Sequence, residues 1–234
     1  MTLNYAEGTS DAPPLVLLHG LAARWQVFAP LLARLDADWH VYAPDMRGHG
    51  GSAHTPGGYV MTQVIADATA FLREVVGAPA VVYGHSVGGW VALALAAGCP
   101  DLVRAVVVGD SPVFLDSVDP DQAVSYLADL PLAMRSMAVS LKQLDPEVME
   151  RYRAGALAEG YDPEPLLPNV RCPALLLQAD PTQDGLMGDR DVERALALLP
   201  DARHVRFDGI GHGLHVQDAT AVYDAIVPFF DELG

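Results

Sequence analysis

The stretch that most constrains the chain is Val81-Val82-Tyr83-Gly84-His85-Ser86-Val87-Gly88-Gly89-Trp90-Val91-Ala92. A β-branched run enters Gly-x-Ser-x-Gly, and Ala- and Leu-rich sequence with helical spacing follows at once. The pattern predicts a strand, a tight turn and a helix. A chain that reverses from strand into helix within a few residues is strained and has no room for Cβ atoms beside the turn, which accounts for glycines two before and two after the serine. Ser86 is therefore expected at the tip of the turn. There the backbone N–H groups and the positive end of the helix dipole face any oxyanion that forms.

Around this turn the chain alternates between short apolar runs and helical patterns. Residues 15–19 read as a strand, followed by Gly20-Leu21-Ala22-Ala23 and a helix from about Trp25 to Arg34. A strand His40–Ala43 ends in Pro44-Asp45-Met46-Arg47-Gly48-His49-Gly50-Gly51-Ser52, a long turn. A helix over about Thr62–Val76, with Val64, Ile65, Ala68, Phe71, Leu72 and Val75 on one face, leads to the strand Ala80–Tyr83. Further strands are predicted at Ala105–Gly109, Ala174–Gln178 and His204–Phe207, and a closing helix at about Ala219–Phe230. The alternation argues for an α/β fold, a mostly parallel sheet with helices on both faces, in one domain over residues 1–234.

The interruption falls at about 112–170. Here Asp121–Ala128, Pro131–Leu141 and Pro146–Ala158 read as helices with no strand between them, a helical cap insertion. Its Met134 and Met137 are candidate pocket residues, since methionine suits an adaptable apolar wall.

Composition narrows the partners. A formal net charge of −16, from 14 basic and 30 acidic residues, opposes binding to nucleic acid or to anionic membranes. The N-terminal residues carry neither a basic segment nor an apolar run, and no stretch approaches membrane-spanning length, so a cytoplasmic location is expected. Cys99 and Cys172 lie in no metal-binding or redox spacing, so no metal and no cofactor are expected.

A serine hydroxyl is a weak nucleophile at neutral pH and needs a base, which in turn needs an orienting acid. Among eight histidines, His212 in Gly209-Ile210-Gly211-His212-Gly213-Leu214-His215 lies in a glycine-flanked loop after the final strand, from which a side chain reaches back over the sheet. His215 is the alternative. His85 and His49 read as structural hydrogen-bonders.

With these residues on the page, the chain resembles the α/β-hydrolase superfamily over nearly its whole length. The resemblance rests on His19-Gly20, Asp45-Met46-Arg47-Gly48-His49-Gly50-Gly51-Ser52, Gly84-His85-Ser86-Val87-Gly88-Gly89 and Gly211-His212. It implies an oxyanion hole from the backbone N–H groups of Leu21 and Val87, and it makes Trp25 a candidate substrate contact. The acid departs from the family pattern. The strand after the cap ends Leu177-Gln178-Ala179-Asp180-Pro181-Thr182-Gln183-Asp184, with Ala179 at the usual glycine and Thr182 at the usual acid. Asp180 and Asp184 flank that place, while Asp110, at the end of the strand Ala105–Gly109, matches members that carry the acid one strand earlier, certain lactone hydrolases among them. Asp110 is preferred, with Asp180 as the alternative and Asp184 third.

The function implied is serine-dependent cleavage of a small carboxylic ester or lactone, neutral and apolar, through an acyl-enzyme. The same machinery acting on a thioester, on a C–C bond or in cofactor-free perhydrolysis is the alternative, and a non-catalytic ligand receptor is the reading from another class. Serine at 86 disfavours the branches that use an aspartate nucleophile, such as epoxide hydrolases and haloalkane dehalogenases.

Overall fold

The protein is described by a computed structural model that covers residues 2–117 and 135–233, with the side chains of residues 117 and 135–138 outside that description. Seven strands, β1 (Tyr5–Glu7), β2 (Pro14–Leu18), β3 (His40–Pro44), β4 (Ala80–His85), β5 (Val103–Gly109), β6 (Ala174–Ala179) and β7 (Ala202–Phe207), form one sheet in the order β1-β3-β2-β4-β5-β6-β7. All neighbours are parallel except β1, which runs antiparallel to β3 with Ala6 opposite Ala43.

Side chains alternate across a strand, so each central strand feeds two cores. Val16, Leu18, Val82, Val106, Val108 and Leu176 point to one face and pack with Trp90, Val91 and Phe71. Leu15, Leu17, Val81, Tyr83, Val107 and Leu177 point to the other and pack with Phe28, Leu31, Ile226 and Phe229. Helices α1 (Ala29–Leu35), α2 (Met61–Phe71) and α3 (Val87–Gly98) follow the first three parallel strands. Residues 72–76 extend α2 by one wide turn, closed by Gly77 in the left-handed conformation.

In the predicted cap, the described helices are α4 (Arg135–Lys142), α5 (Pro146–Arg153) and α6 (Pro163–Leu166). The helix expected over Pro146–Ala158 breaks after Arg153, because Gly155 adopts φ 71 and a 3₁₀ turn, Ala156–Ala158, takes over. Asp121–Ala128 and Met134 lie outside the described residues, as does the side chain of Met137, whose backbone belongs to α4. Helices α7 (Asp189–Leu198), α8 (Leu214–Gln217) and α9 (Ala219–Asp231) complete the chain. Among the described residues no helix is long and apolar enough to cross a membrane.

Candidate active site

Strand β4 delivers Ser86 into a conformation that neither helix nor strand adopts, φ 54 and ψ −127, at the N-cap of the twelve-residue α3. The glycines around it are sterically required. A Cβ on Gly84 would stand 2.2 Å from the Gly88 carbonyl oxygen, and one on Gly88 would stand 2.3 Å from that of Leu18. Such contacts with backbone leave no side-chain rotation to relieve them.

The strained turn is tied sideways to the next strand, where the Ser86 N–H donates to the Gly109 carbonyl at 2.9 Å. The residue after Gly109 is Asp110, which also has positive φ, 41, and is fully buried. Its carboxylate Oδ2 accepts from Nδ1 of His212 at 2.7 Å and from the Leu186 N–H at 2.8 Å, and Oδ1 accepts from the N–H groups of Ala179 at 3.0 Å and Met187 at 3.2 Å. Burial works to raise the pKa of this carboxyl, but the hydrogen bond and charge of His212 and the donated N–H groups outweigh it and hold it below the usual carboxylate value. An ionised carboxylate only accepts, so the ring proton of His212 sits on Nδ1 and the neutral ring keeps a lone pair on Nε2.

Asp180 does something else. Its Oδ1 caps the turn at Pro181–Gln183 by accepting from the Thr182 N–H at 2.8 Å and hydroxyl at 2.7 Å, and its Oδ2 accepts from the Gly209 N–H at 2.8 Å. The Asp180 N–H donates to the Ile210 carbonyl at 2.8 Å. Asp180 thus pins the loop that carries His212 without touching the imidazole. Asp184 is exposed at the end of the same turn with φ 65.

Four further histidines surround the site. His85 donates from Nε2 to the carbonyl oxygen of His212 at 2.8 Å, and its ring lies against that of His212 with centroids 4.6 Å apart. The neighbour of the serine therefore holds the backbone of the candidate base. His215 is buried beside Phe28 and Tyr83, the first a stacked contact at 4.6 Å, and acts as packing beneath the loop. His19 donates from Nδ1 to Gly20 at 2.8 Å and accepts at Nε2 from the Met46 N–H at 2.9 Å. His49 donates from Nδ1 to Arg47 at 2.9 Å and accepts from the Ala22 N–H at 3.2 Å. Burial above all else lowers the pKa of His19, and takes those of His49 and His85 down to about 3.

The last two rings brace the loop that contains Leu21. Asp45 completes the brace, taking the Trp25 N–H at 2.8 Å on Oδ1 and the Asn4 amide at 2.7 Å and the Gly51 N–H at 2.9 Å on Oδ2. The Asp45–Ser52 turn, notable in the sequence for its glycines, is a buttress for the Gly20–Ala23 segment.

Side chains of Leu21 and Val87 border a small apolar cavity shared with Tyr59, Val64, Val148 and Leu157. Trp25 does not reach it. It packs on the opposite face of the sheet and lines a separate groove of about 320 Å³ with Gly8, Leu32 and Val41. No motif marks Tyr59, Val148 and Leu157, which meet Leu21 and Val87 only in the folded chain.

The model of the alpha/beta hydrolase family matches residues 15–225. Over 87 residues, 37% of this chain and 31% of the relative, the sequence is 33% identical to 2-(acetamidomethylene)succinate hydrolase of Mesorhizobium japonicum. Over 83 residues, 33% of this chain and 25% of the relative, it is 40% identical to epoxide hydrolase A of Mycobacterium tuberculosis. The matched stretches span about a quarter to a third of these relatives' lengths. In structure, the chain is similar to E-2-(acetamidomethylene)succinate hydrolase, with a TM-score of 0.82 at 24% identity over 98% of this chain and 95% of that one. It is also similar to the enol-lactonase from Burkholderia xenovorans LB400, with a TM-score of 0.79 at 22% identity over 98% and 96%.

Proposed function

Because the chain belongs to the alpha/beta hydrolase family, we propose that it is a serine hydrolase that cleaves a small carboxylic ester or lactone through an acyl-enzyme. The observation that carries this reading is the 2.7 Å contact between His212 Nδ1 and the buried carboxylate of Asp110, at strand ends next to the strained Ser86.

In the proposed reaction, His212 Nε2 takes the hydroxyl proton of Ser86 as Oγ attacks the carbonyl carbon, and the carbonyl electron pair moves onto oxygen. The backbone N–H groups of Leu21 and Val87 receive that oxyanion. The tetrahedral species collapses, the C–O bond to the alcohol breaks, and His212 returns the proton to the departing oxygen. Water then repeats the sequence on the acyl-enzyme, releasing the acid and restoring Ser86. Asp110 stays ionised throughout, holding the ring tautomer and stabilising the imidazolium.

Support for an ester or lactone comes from the kinds of relative found, a methyl ester esterase of Xylella fastidiosa and the enol-lactonase among them. The similarity to an epoxide hydrolase is not carried over, since serine rather than a carboxylate occupies the nucleophile position. The test is labelling with a fluorophosphonate followed by peptide mass spectrometry, together with turnover on a panel of esters, lactones and thioesters. A single adduct on Ser86 and ester turnover lost in Ser86→Ala are expected. Turnover that survives Ser86→Ala refutes the serine mechanism.

A further inference from the structure

We infer that Gln178 is a positioning residue for the proposed reaction: its buried amide fixes the loop whose N–H groups hold the Asp110 carboxylate, and through that carboxylate it sets the place of His212. This rests on the serine-hydrolase reading above and adds a residue to it.

Gln178 is a polar side chain on an apolar face. Side chains alternate along β6, so it points the same way as Ala174 and Leu176, which belong to one of the two cores, and it is only 1% exposed. An amide in such a place is costly unless its polar atoms find partners. Both ends find them. Nε2 donates to the Met187 carbonyl at 3.0 Å and to Asp189 Oδ1 at 2.8 Å, and Oε1 accepts from Nε2 of His204 at 2.9 Å. A carbonyl and a carboxylate only accept, so the amide nitrogen must face Met187.

What the amide holds is one wall of the acid's site. The Asp110 N–H donates to the Leu177 carbonyl at 2.7 Å, and its carboxylate accepts from the N–H groups of Ala179, Leu186 and Met187. Gln178 thus lies between the two strand residues that bind Asp110, and its side chain reaches across to the loop that supplies the other donors. Met187 is held from both ends, its N–H by Asp110 and its carbonyl by Gln178. The loop between is drawn tight at Gly185, whose N–H donates to the Asp180 carbonyl at 3.0 Å and where a Cβ would stand 2.8 Å from the same oxygen.

Without the amide, Leu186 and Met187 lose the tie that presses their N–H groups onto Asp110. The carboxylate then shares its charge with fewer donors, which makes it more basic and draws the ring of His212 toward the protonated form. It also gains room to move, and a displacement of about 1 Å in a catalytic group can cost on the order of 10²-fold in rate. The other titratable groups packed about the pair stay neutral near pH 7, since burial lowers the pKa of His85 and His215 and raises that of Tyr83. The acid limb of the rate profile therefore reports His212.

The test measures 4-nitrophenyl butyrate turnover from about pH 5 to about pH 9 in the full-length protein and in three variants, Gln178→Met, Gln178→Asn and Asp189→Ala. Rates are counted per Ser86 titrated to completion with the fluorophosphonate, so unfolded chains do not enter. Gln178→Met removes the donor at similar length, and Gln178→Asn, one methylene shorter, serves if the first folds poorly. Asp189→Ala removes the exposed partner of the amide and leaves the bond to Met187. In the Gln178 variants kcat is expected to fall about tenfold or more with KM within about twofold, and the acid limb of kcat/KM to move up by about 0.5 pH unit. Asp189→Ala should keep kcat within about twofold of the wild type. In the unaltered protein, the Leu186 and Met187 amide protons should exchange as slowly as those of β6. Fast exchange there, a loss confined to KM, an equal loss in Asp189→Ala, or an acid limb that stays or moves down overturns the positioning role. With the Ser86 adduct and wild-type turnover present, the serine mechanism then still stands. Absence of that adduct and of all turnover in the wild type overturns both.

Discussion

Asp110 and His212, 102 residues apart, meet through a single 2.7 Å hydrogen bond that places a fully buried carboxylate against the imidazole. Asp110→Asn keeps the volume but supplies an N–H₂ where only an acceptor serves, so the ring loses the group that fixes its tautomer. The corresponding change in a serine protease costs about 10⁴ in kcat. A loss of two or more orders of magnitude in kcat is expected, measured on the best ester of the panel, with labelling of Ser86 slowed in parallel. A variant with near wild-type kcat refutes the assignment of Asp110 as the acid.

Asp180 offers the paired control. It accepts from Gly209 and Thr182 and so anchors the loop of His212 from outside. Asp180→Ala should lower the melting temperature and reduce kcat far less than Asp110→Asn does. If the order of the two losses is reversed, the roles are exchanged.

Buried histidines give stability a definite pH dependence. His49 and His85 have folded pKa values of about 3, against an unfolded value of about 6.5. Between those limits the unfolded chain binds protons that the folded one refuses, so stability is full above about pH 6.5 and falls as the pH drops toward 3. At pH 5 each of the two costs on the order of 2 kcal/mol. Urea denaturation at pH 5 and at 7.5 measures the difference, and equal stability at the two values contradicts the neutral, buried placement of these rings.

Gly88 is closed in by the backbone of the neighbouring strand. Gly88→Ala puts a methyl 2.3 Å from the Leu18 carbonyl oxygen, a clash with the neighbouring strand. Destabilisation of about 3 kcal/mol or more is expected from overpacking against backbone. A change within about 0.5 kcal/mol in urea denaturation, the range of an unconstrained surface site, contradicts the packed turn.

The central strands were legible because they are buried on both faces and read as continuous apolar runs. Leu15 to Leu18 and Val81 to Tyr83 are examples, each within a residue or two of the observed limits. Strand β1 was not legible, since Tyr5-Ala6-Glu7 has no pattern of its own and takes its conformation from the partner β3. Helix α7 carries an amphipathic pattern, with Val192 and Ala195 buried, in a short stretch between two predicted strands. The Gly-x-Ser-x-Gly turn could be read because its chemistry is local in sequence. The approach of Asp110 to His212 depends on how β5 and the loop after β7 converge, which leaves Asp180 and Asp110 indistinguishable by order along the chain. The cavity lining was hidden for the same reason, Val148 and Leu157 meeting Leu21 and Val87 only in three dimensions.

The order of the strands also governs how copies of this molecule meet one another. A sheet ends in two rows of unpaired N–H and C=O groups, and long flat edges invite strand addition from a second chain. Here one rim is β1, three residues long and antiparallel, too short to template much. The other is β7, which carries Arg203 and Arg206, the first paired with Glu232 and the second with Asp189 at 3.0 Å and Asp208 at 3.2 Å. Charged side chains on this rim, and a formal charge of −16 on each molecule, disfavour an incoming strand. One rim is short and the other is charged, while the interior of the sheet, where Ser86 and Asp110 emerge, is a continuous run of parallel strands.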